Sequence, residues 1–143
     1  MKNKILVICT GNSCRSQMAE GFLKSLDPGL EVFSAGTDPE TMVSPFAVRV
    51  MNEIGIDISG HNTKSVAQFL NVSFDYVITV CDDARETCPV FSGKVKHRLH
   101  IGFEDPARAQ GTDEQKLAVY KRVRDEIIDE FGKFYRSLKQ SNK

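Results

Sequence analysis

Hydrophobic and polar positions follow two rhythms along this chain. Four strand signals, Ile5 to Thr10, Val32 to Ala35, Tyr76 to Cys81 and Val95 to His100, alternate with stretches whose apolar residues recur every three or four positions. The first rhythm predicts strands and the second amphipathic helices. The first helix is expected from about Ser16 to Leu26, burying Met18, Phe22 and Leu26 and stopping at Asp27-Pro28-Gly29. A second takes Ser44 as N-cap and Pro45 in its first turn, buries Val48, Met51 and Ile54, and ends at Gly55. A short helix is expected after Thr63. The last helix opens on Thr112 and Gln115 as a capping box and buries Leu117, Tyr120, Val123, Ile127, Phe131, Phe134 and Leu138, with a frayed polar end beyond. Strands alternating with helices predict an α/β fold, an open parallel four-stranded sheet with helices on both faces.

Length changes this picture little. The 143 residues suffice for one domain, residues 1–143, whose core needs no staples. Nineteen Lys and Arg balance nineteen Asp and Glu, so no overall field draws the chain to nucleic acid or a membrane surface, and a monomer is expected. The apolar run after Met1-Lys2-Asn3-Lys4 is too short for a signal peptide, and no membrane span is visible. A cytoplasmic home follows, where four cysteines point to thiol chemistry or metal binding before structural disulfides.

Candidate chemistry gathers at Cys9-Thr10-Gly11-Asn12-Ser13-Cys14-Arg15-Ser16, between the first strand and the first helix. A short turn there would aim backbone N–H groups inward beside a helix N-terminus, making a concave oxyanion site with sulfur at its base. Peptide dipoles, the helix end and Arg15 all favour negative charge at Cys9, which makes it the candidate nucleophile. Arg15 can fork two anion oxygens where a lysine could not. Gly11 and Asn12 suit positive φ, Ser13 and Ser16 can donate to a thiolate or cap the helix, and Cys14 reads as a packed residue.

Cys81 and Asp105 each follow a strand, so topology brings both to the sheet edge that carries Cys9 and allows the two sulfurs to face one pocket. A bound anion favours the protonated form of a neighbouring carboxyl, which suits Asp105 as proton donor to a departing oxygen. Cys88 lies seven residues after Cys81 in a polar stretch without an apolar stripe. On an intact helix that is roughly 10 Å along the axis, beyond the roughly 7 Å that a disulfide spans between Cα atoms. Bonding the pair therefore requires the segment to unwind or fold back. A zinc site from these cysteines with His61, His97 or His100 lacks closely spaced ligand pairs, so no metal is assigned.

Taken together, Cys9 to Gly21, Ser34-Ala35-Gly36-Thr37, Gly55 to Ser59, Val77 to Asp82, Cys88-Pro89, Gly102 to Ala107 and Val123 to Ile127 resemble the thioredoxin-coupled arsenate reductases, which share the fold of the low-molecular-weight protein tyrosine phosphatases. The resemblance spans nearly the whole chain. It implies that residues Thr10, Gly11, Asn12, Ser13, Cys14, Arg15 and Ser16 bind arsenate, that Cys9 attacks it, and that Asp105 protonates the leaving hydroxyl. It further implies that Cys81 and then Cys88 carry the oxidation outward to a disulfide reduced by thioredoxin, in the service of arsenic detoxification, with no flavin, nicotinamide or metal cofactor. Some members hold potassium; Asn12 and Glu20 match that site but residues 61–65 offer no clean acidic partner, and potassium is left unassigned.

Two rival functions use the same loop. A low-molecular-weight phosphatase would hydrolyse phosphomonoesters through a Cys9 thiophosphate. Against it, Gln17 stands where those enzymes usually carry proline, and Ala107 where an aromatic often follows Asp-Pro. A non-catalytic oxyanion binder would have no use for three placed thiols.

Overall fold

The computed structural model describes residues 3–82 and 90–141. Four strands, β1 (Lys4–Cys9), β2 (Glu31–Gly36), β3 (Phe74–Thr79) and β4 (Val95–His100), form one sheet in the order β2-β1-β3-β4. Every pairing is parallel. From β1 the chain first moves to one side and later to the other, so the switch point falls between β1 and β3, where open α/β sheets hold their ligands.

Strand periodicity sorts β1 into two faces. Ile5, Val7 and Cys9 join the larger core with α1 (Arg15–Leu26), α2 (Pro45–Asn52) and α3 (Asp113–Ser141), whereas Leu6 and Ile8 join a smaller core with Ala35, Phe74, Val77 and Phe91. Among the described residues, the smaller core is covered by the single 3-10 turn Val66–Phe69, whose Phe69 packs on Phe33 and Phe74. No helix of the described residues is long and apolar enough to cross a membrane.

Local signals set most helix boundaries. Ser44 accepts from the Ala47 N–H at the head of α2, and Thr112 with Gln115 exchanges the two bonds of a capping box at the head of α3. Gly55, at φ +80°, follows α2 in a backbone state that suits glycine. Three expectations shift. Leu26 and Ile54 are 39% exposed, because Leu26 is the last residue of α1 and α2 stops at Asn52, two residues before Ile54. Ala47, Val50 and Met51 are the buried side of α2 instead. The helix α3 runs on to Ser141, past the expected fray at Leu138.

Candidate active site

The strand carboxyl ends deliver four groups of residues to one edge. The loop from Cys9 to Arg15 follows β1, Thr37 to Glu40 follow β2, Cys81 follows β3 and Asp105 follows β4. A cavity of about 780 Å³ opens there, lined by the whole Cys9 to Arg15 loop, by Thr37, Asp38 and Glu40, and by Asp105, Ala107 and Arg108. Among the described residues, none that lines it is aromatic.

The loop is turned inside out by its neighbours. Carbonyls of Thr10, Gly11 and Ser13 accept from the N–H groups of Asp38, Glu40 and Ser44 at 3.0, 2.9 and 2.9 Å. Because each peptide plane is rigid, facing those carbonyls outward turns the N–H edges of the same peptides inward, the arrangement of an anion nest. Asn12 takes φ +52°, as expected, while Gly11 has no positive φ. What Gly11 provides is room: a Cβ there would lie 3.0 Å from the Glu40 side chain.

Gly36, the last residue of β2, is the floor under this loop. A Cβ on it would meet the Thr10 carbonyl at 2.4 Å and Asn12 at 3.1 Å. We expect Gly36→Ala to lower unfolding stability by about 1–3 kcal/mol and to weaken phosphate binding in parallel; denaturant melts with and without phosphate measure both.

Cys9 sits at the base, 2% exposed, as a free thiol group. Its Sγ lies 2.9 Å from Ser16 Oγ and accepts the Asn12 N–H at 3.2 Å. Of the two roles expected for Ser13 and Ser16, Ser16 takes the one beside the sulfur, and α1 has Cys14 as N-cap with no side-chain cap, which leaves first-turn N–H groups for an anion. Arg15 is 3% exposed; its Nη1 donates to the Phe103 carbonyl at 3.2 Å and its Nη2 lies 3.6 Å from Asp105 Oδ2. The guanidinium is thus fixed at the cavity wall by the segment that carries the candidate acid. Asp105 itself is held by the Ala107 N–H on Oδ1 at 3.0 Å, so its other oxygen is the one near Arg15.

Cys14 is the packed residue the sequence suggested. Its Sγ lies 3.4 Å from both Ser13 Oγ and Tyr120 OH, and burial pushes its thiol up from the ordinary value. Tyr120, on α3, accepts from Ser44 Oγ at 3.1 Å and is likewise pushed up by burial. Sequence periodicity assigned Tyr120 to the core alone; its contact with the loop had no signal in the spacing.

Cys81 departs from expectation. It reaches the same sheet edge but does not line the cavity: it is fully buried and its sulfur is engaged in a disulfide. Cys88, together with the segment expected to unwind or fold back, lies outside the described residues.

Behind the loop lie Asn12, Glu20 and residues 61–65, which the resemblance had grouped, and Gln17, which it had not. Gln17 bridges Asn12 to the 61–64 segment, where Lys64 N–H donates to Asn12 Oδ1 at 2.9 Å. Glu20 accepts from Ser34 Oγ at 2.6 Å and from the Lys24 ammonium at 2.7 Å, with His61 Nδ1 3.7 Å away. Burial holds both His61 and Lys64 below their ordinary values, against the opposing pull of Glu20.

Comparison with known proteins agrees with this geometry. The family described as low molecular weight phosphotyrosine protein phosphatase matches residues 4–143. An arsenate reductase of Halalkalibacterium halodurans is 50% identical over 127 residues, covering 88% of this chain and 90% of the relative. One of Bacillus subtilis is 48% identical over 136 residues, 94% of this chain and 96% of the relative. Among solved structures, an arsenate reductase in the phosphate binding state superposes with a TM-score of 0.78 at 33% identity, covering 94% of this chain and 98% of that one.

Proposed function

This chain belongs to the low molecular weight phosphotyrosine protein phosphatase family, in its arsenate reductase branch, and from that membership we propose that it reduces arsenate to arsenite through a relay of Cys9, Cys81 and Cys88. Arsenate enters the loop as an anion held by inward N–H groups and the Arg15 fork. The Cys9 sulfur forms a bond to arsenic while an arsenate oxygen departs as water, taking its proton from Asp105. The Cys81 thiolate then attacks the Cys9 sulfur. The electron pair of the sulfur–arsenic bond stays on arsenic, releasing arsenite and leaving a Cys9–Cys81 disulfide. The Cys88 thiolate next attacks Cys81, frees Cys9, and leaves a Cys81–Cys88 disulfide for the dithiol of thioredoxin to reduce.

One observation carries this reading over hydrolysis: the nucleophile Cys9 is a free thiol while Cys81, at the next strand end, is held in a disulfide. That division of oxidation states is what the end of the relay would leave, and a phosphatase that resolves its intermediate with water needs no second oxidisable sulfur. The described lining, which holds no aromatic side chain, points the same way, since a phosphotyrosyl ring would find no partner there to stack on.

Potassium has no part in this reading. Asn12 Oδ1 already accepts two N–H donors and Glu20 already carries an ammonium, so the residues do not fit a further cation without breaking those contacts.

The test is a coupled assay with thioredoxin, thioredoxin reductase and NADPH. Arsenate should drive NADPH oxidation matched by arsenite formation. Steady hydrolysis of para-nitrophenyl phosphate with no NADPH consumed on arsenate would contradict the proposal. In the same assay Asp105→Asn should lose roughly 10²- to 10⁴-fold in the arsenate step, while phosphate still binds.

A further inference from the structure

Gln17 is fully buried as the third residue of α1, with every polar atom of its amide engaged. Its Nε2 shares two N–H groups among three acceptors, the Asn12 carbonyl at 3.1 Å, Asn12 Oδ1 at 3.0 Å and the Asn62 carbonyl at 3.0 Å. Its Oε1 lies 3.0 Å from His61 Nδ1. Three carbonyl-type oxygens around one nitrogen leave a single orientation for this amide, because only its NH₂ end can face them.

What Gln17 grips is the residue that speaks to the nucleophile twice. Asn12 donates its own N–H to Cys9 Sγ at 3.2 Å, and its Nδ2 donates to Ser16 Oγ at 2.8 Å. Ser16, having accepted that bond, lies 2.9 Å from Cys9 Sγ. A thiolate can only accept, so the single Ser16 proton faces the sulfur. All the donors in the chain Gln17, Asn12, Ser16 therefore run toward Cys9, and aligned hydrogen bonds in a dry interior reinforce one another.

Asn12 would not hold this pose unaided. Its φ of +52° is uncommon for a residue with a side chain, and an unclamped asparagine amide is free to turn its oxygen toward Ser16. The Gln17 NH₂ faces both Asn12 oxygens, sharing Oδ1 with the Lys64 N–H and reaching the carbonyl as well, and it ties them to the segment that carries Asn62.

We propose that Gln17 is a positioning residue for the Cys9 nucleophile: by clamping both oxygens of Asn12 it keeps the Asn12 and Ser16 donors directed at the sulfur and so favours its thiolate. The inference rests on Cys9 as the attacking group of the proposed reaction, and it goes beyond the relay by naming what prepares that group.

Alkylation tests it without arsenate. Fully reduced protein is treated with iodoacetamide across a pH series, and modification of Cys9 is followed by peptide mass mapping. Gln17→Met, which keeps the volume but removes the donors, should slow Cys9 alkylation about tenfold near neutral pH, and its rate should rejoin that of the unaltered protein in alkaline solution. Ser16→Ala should show the same pattern, and the double variant should fall little further than Ser16→Ala alone, the signature of one shared route. Where Gln17→Met does not fold, Gln17→Glu, similar in size but lacking the NH₂, takes the same measurement. Unchanged alkylation, or a loss that is equal at every pH and additive with Ser16→Ala, overturns the proposal. A chain that fails to reduce arsenate yet shows the pH-dependent loss would sink the reductase reading and leave this one standing.

Discussion

Cys9→Ser should abolish arsenite production, phosphomonoester hydrolysis and every arsenate-driven loss of thiols, a fall on the order of 10⁵-fold or more in any turnover that remains. The size follows from the absence of a substitute. A serine hydroxyl would occupy the same floor, beneath the same N–H groups and within reach of Ser16, but those donors stabilise an anion that serine does not form near neutral pH. Cys14 cannot stand in, because burial keeps it as a neutral thiol against Tyr120. Phosphate protection of the fold should survive the substitution, since Arg15 and the loop amides are untouched. A variant that neither binds phosphate nor reacts would mean the loop itself had collapsed, so the two assays are run together.

Cys88→Ser should separate one turnover from many. With Cys9 and Cys81 intact the variant should release a single arsenite per chain and then stop, holding its oxidation as a Cys9–Cys81 disulfide. Multiple turnover with thioredoxin should fall to the background of whatever reductant reaches that buried pair. The physical reason is access: Cys9 is 2% and Cys81 0% exposed, and thiol–disulfide exchange demands that the attacking sulfur approach along the S–S axis. Rapid-quench analysis of arsenite against time shows a burst with no steady phase if the relay is right. Normal cycling with thioredoxin would mean that a third sulfur is not needed.

Much of this molecule is legible from the order of its residues, and the illegible part has a common cause. The four strands were placed to within a residue or two, most plainly β1, whose β-forming run from Ile5 to Cys9 is buried throughout. The capping box at Thr112 and Gln115 works because it is local, needing only two side chains three residues apart. The loop from Cys9 to Arg15 and the placement of Asp105 on its sheet edge were also readable, the first from spacing and the second from topology, whereas the approach of Asp105 to Arg15 came only with the structure. Helix faces were harder. Placing Val48, Met51 and Ile54 on one buried stripe assumed that α2 continues to Gly55, whereas it stops at Asn52 and buries Ala47, Val50 and Met51. The long-range clamp was out of reach altogether: Gln17 meets Asn62, 45 residues away, through a backbone carbonyl, and a backbone atom leaves no mark on the sequence. That Cys81 is buried and does not line the cavity, where topology allowed it to face the pocket, likewise left no mark on the sequence.

The central claim is that one oxidation event passes from the anion loop through the sulfurs of this chain. It is tested most directly by giving the fully reduced protein one equivalent of arsenate, counting free thiols, and mapping disulfides by mass. The relay predicts the loss of two thiols per chain, one arsenite released, and a Cys81–Cys88 disulfide with Cys9 still free. All four cysteines remaining reduced, with no arsenite in solution, would contradict it.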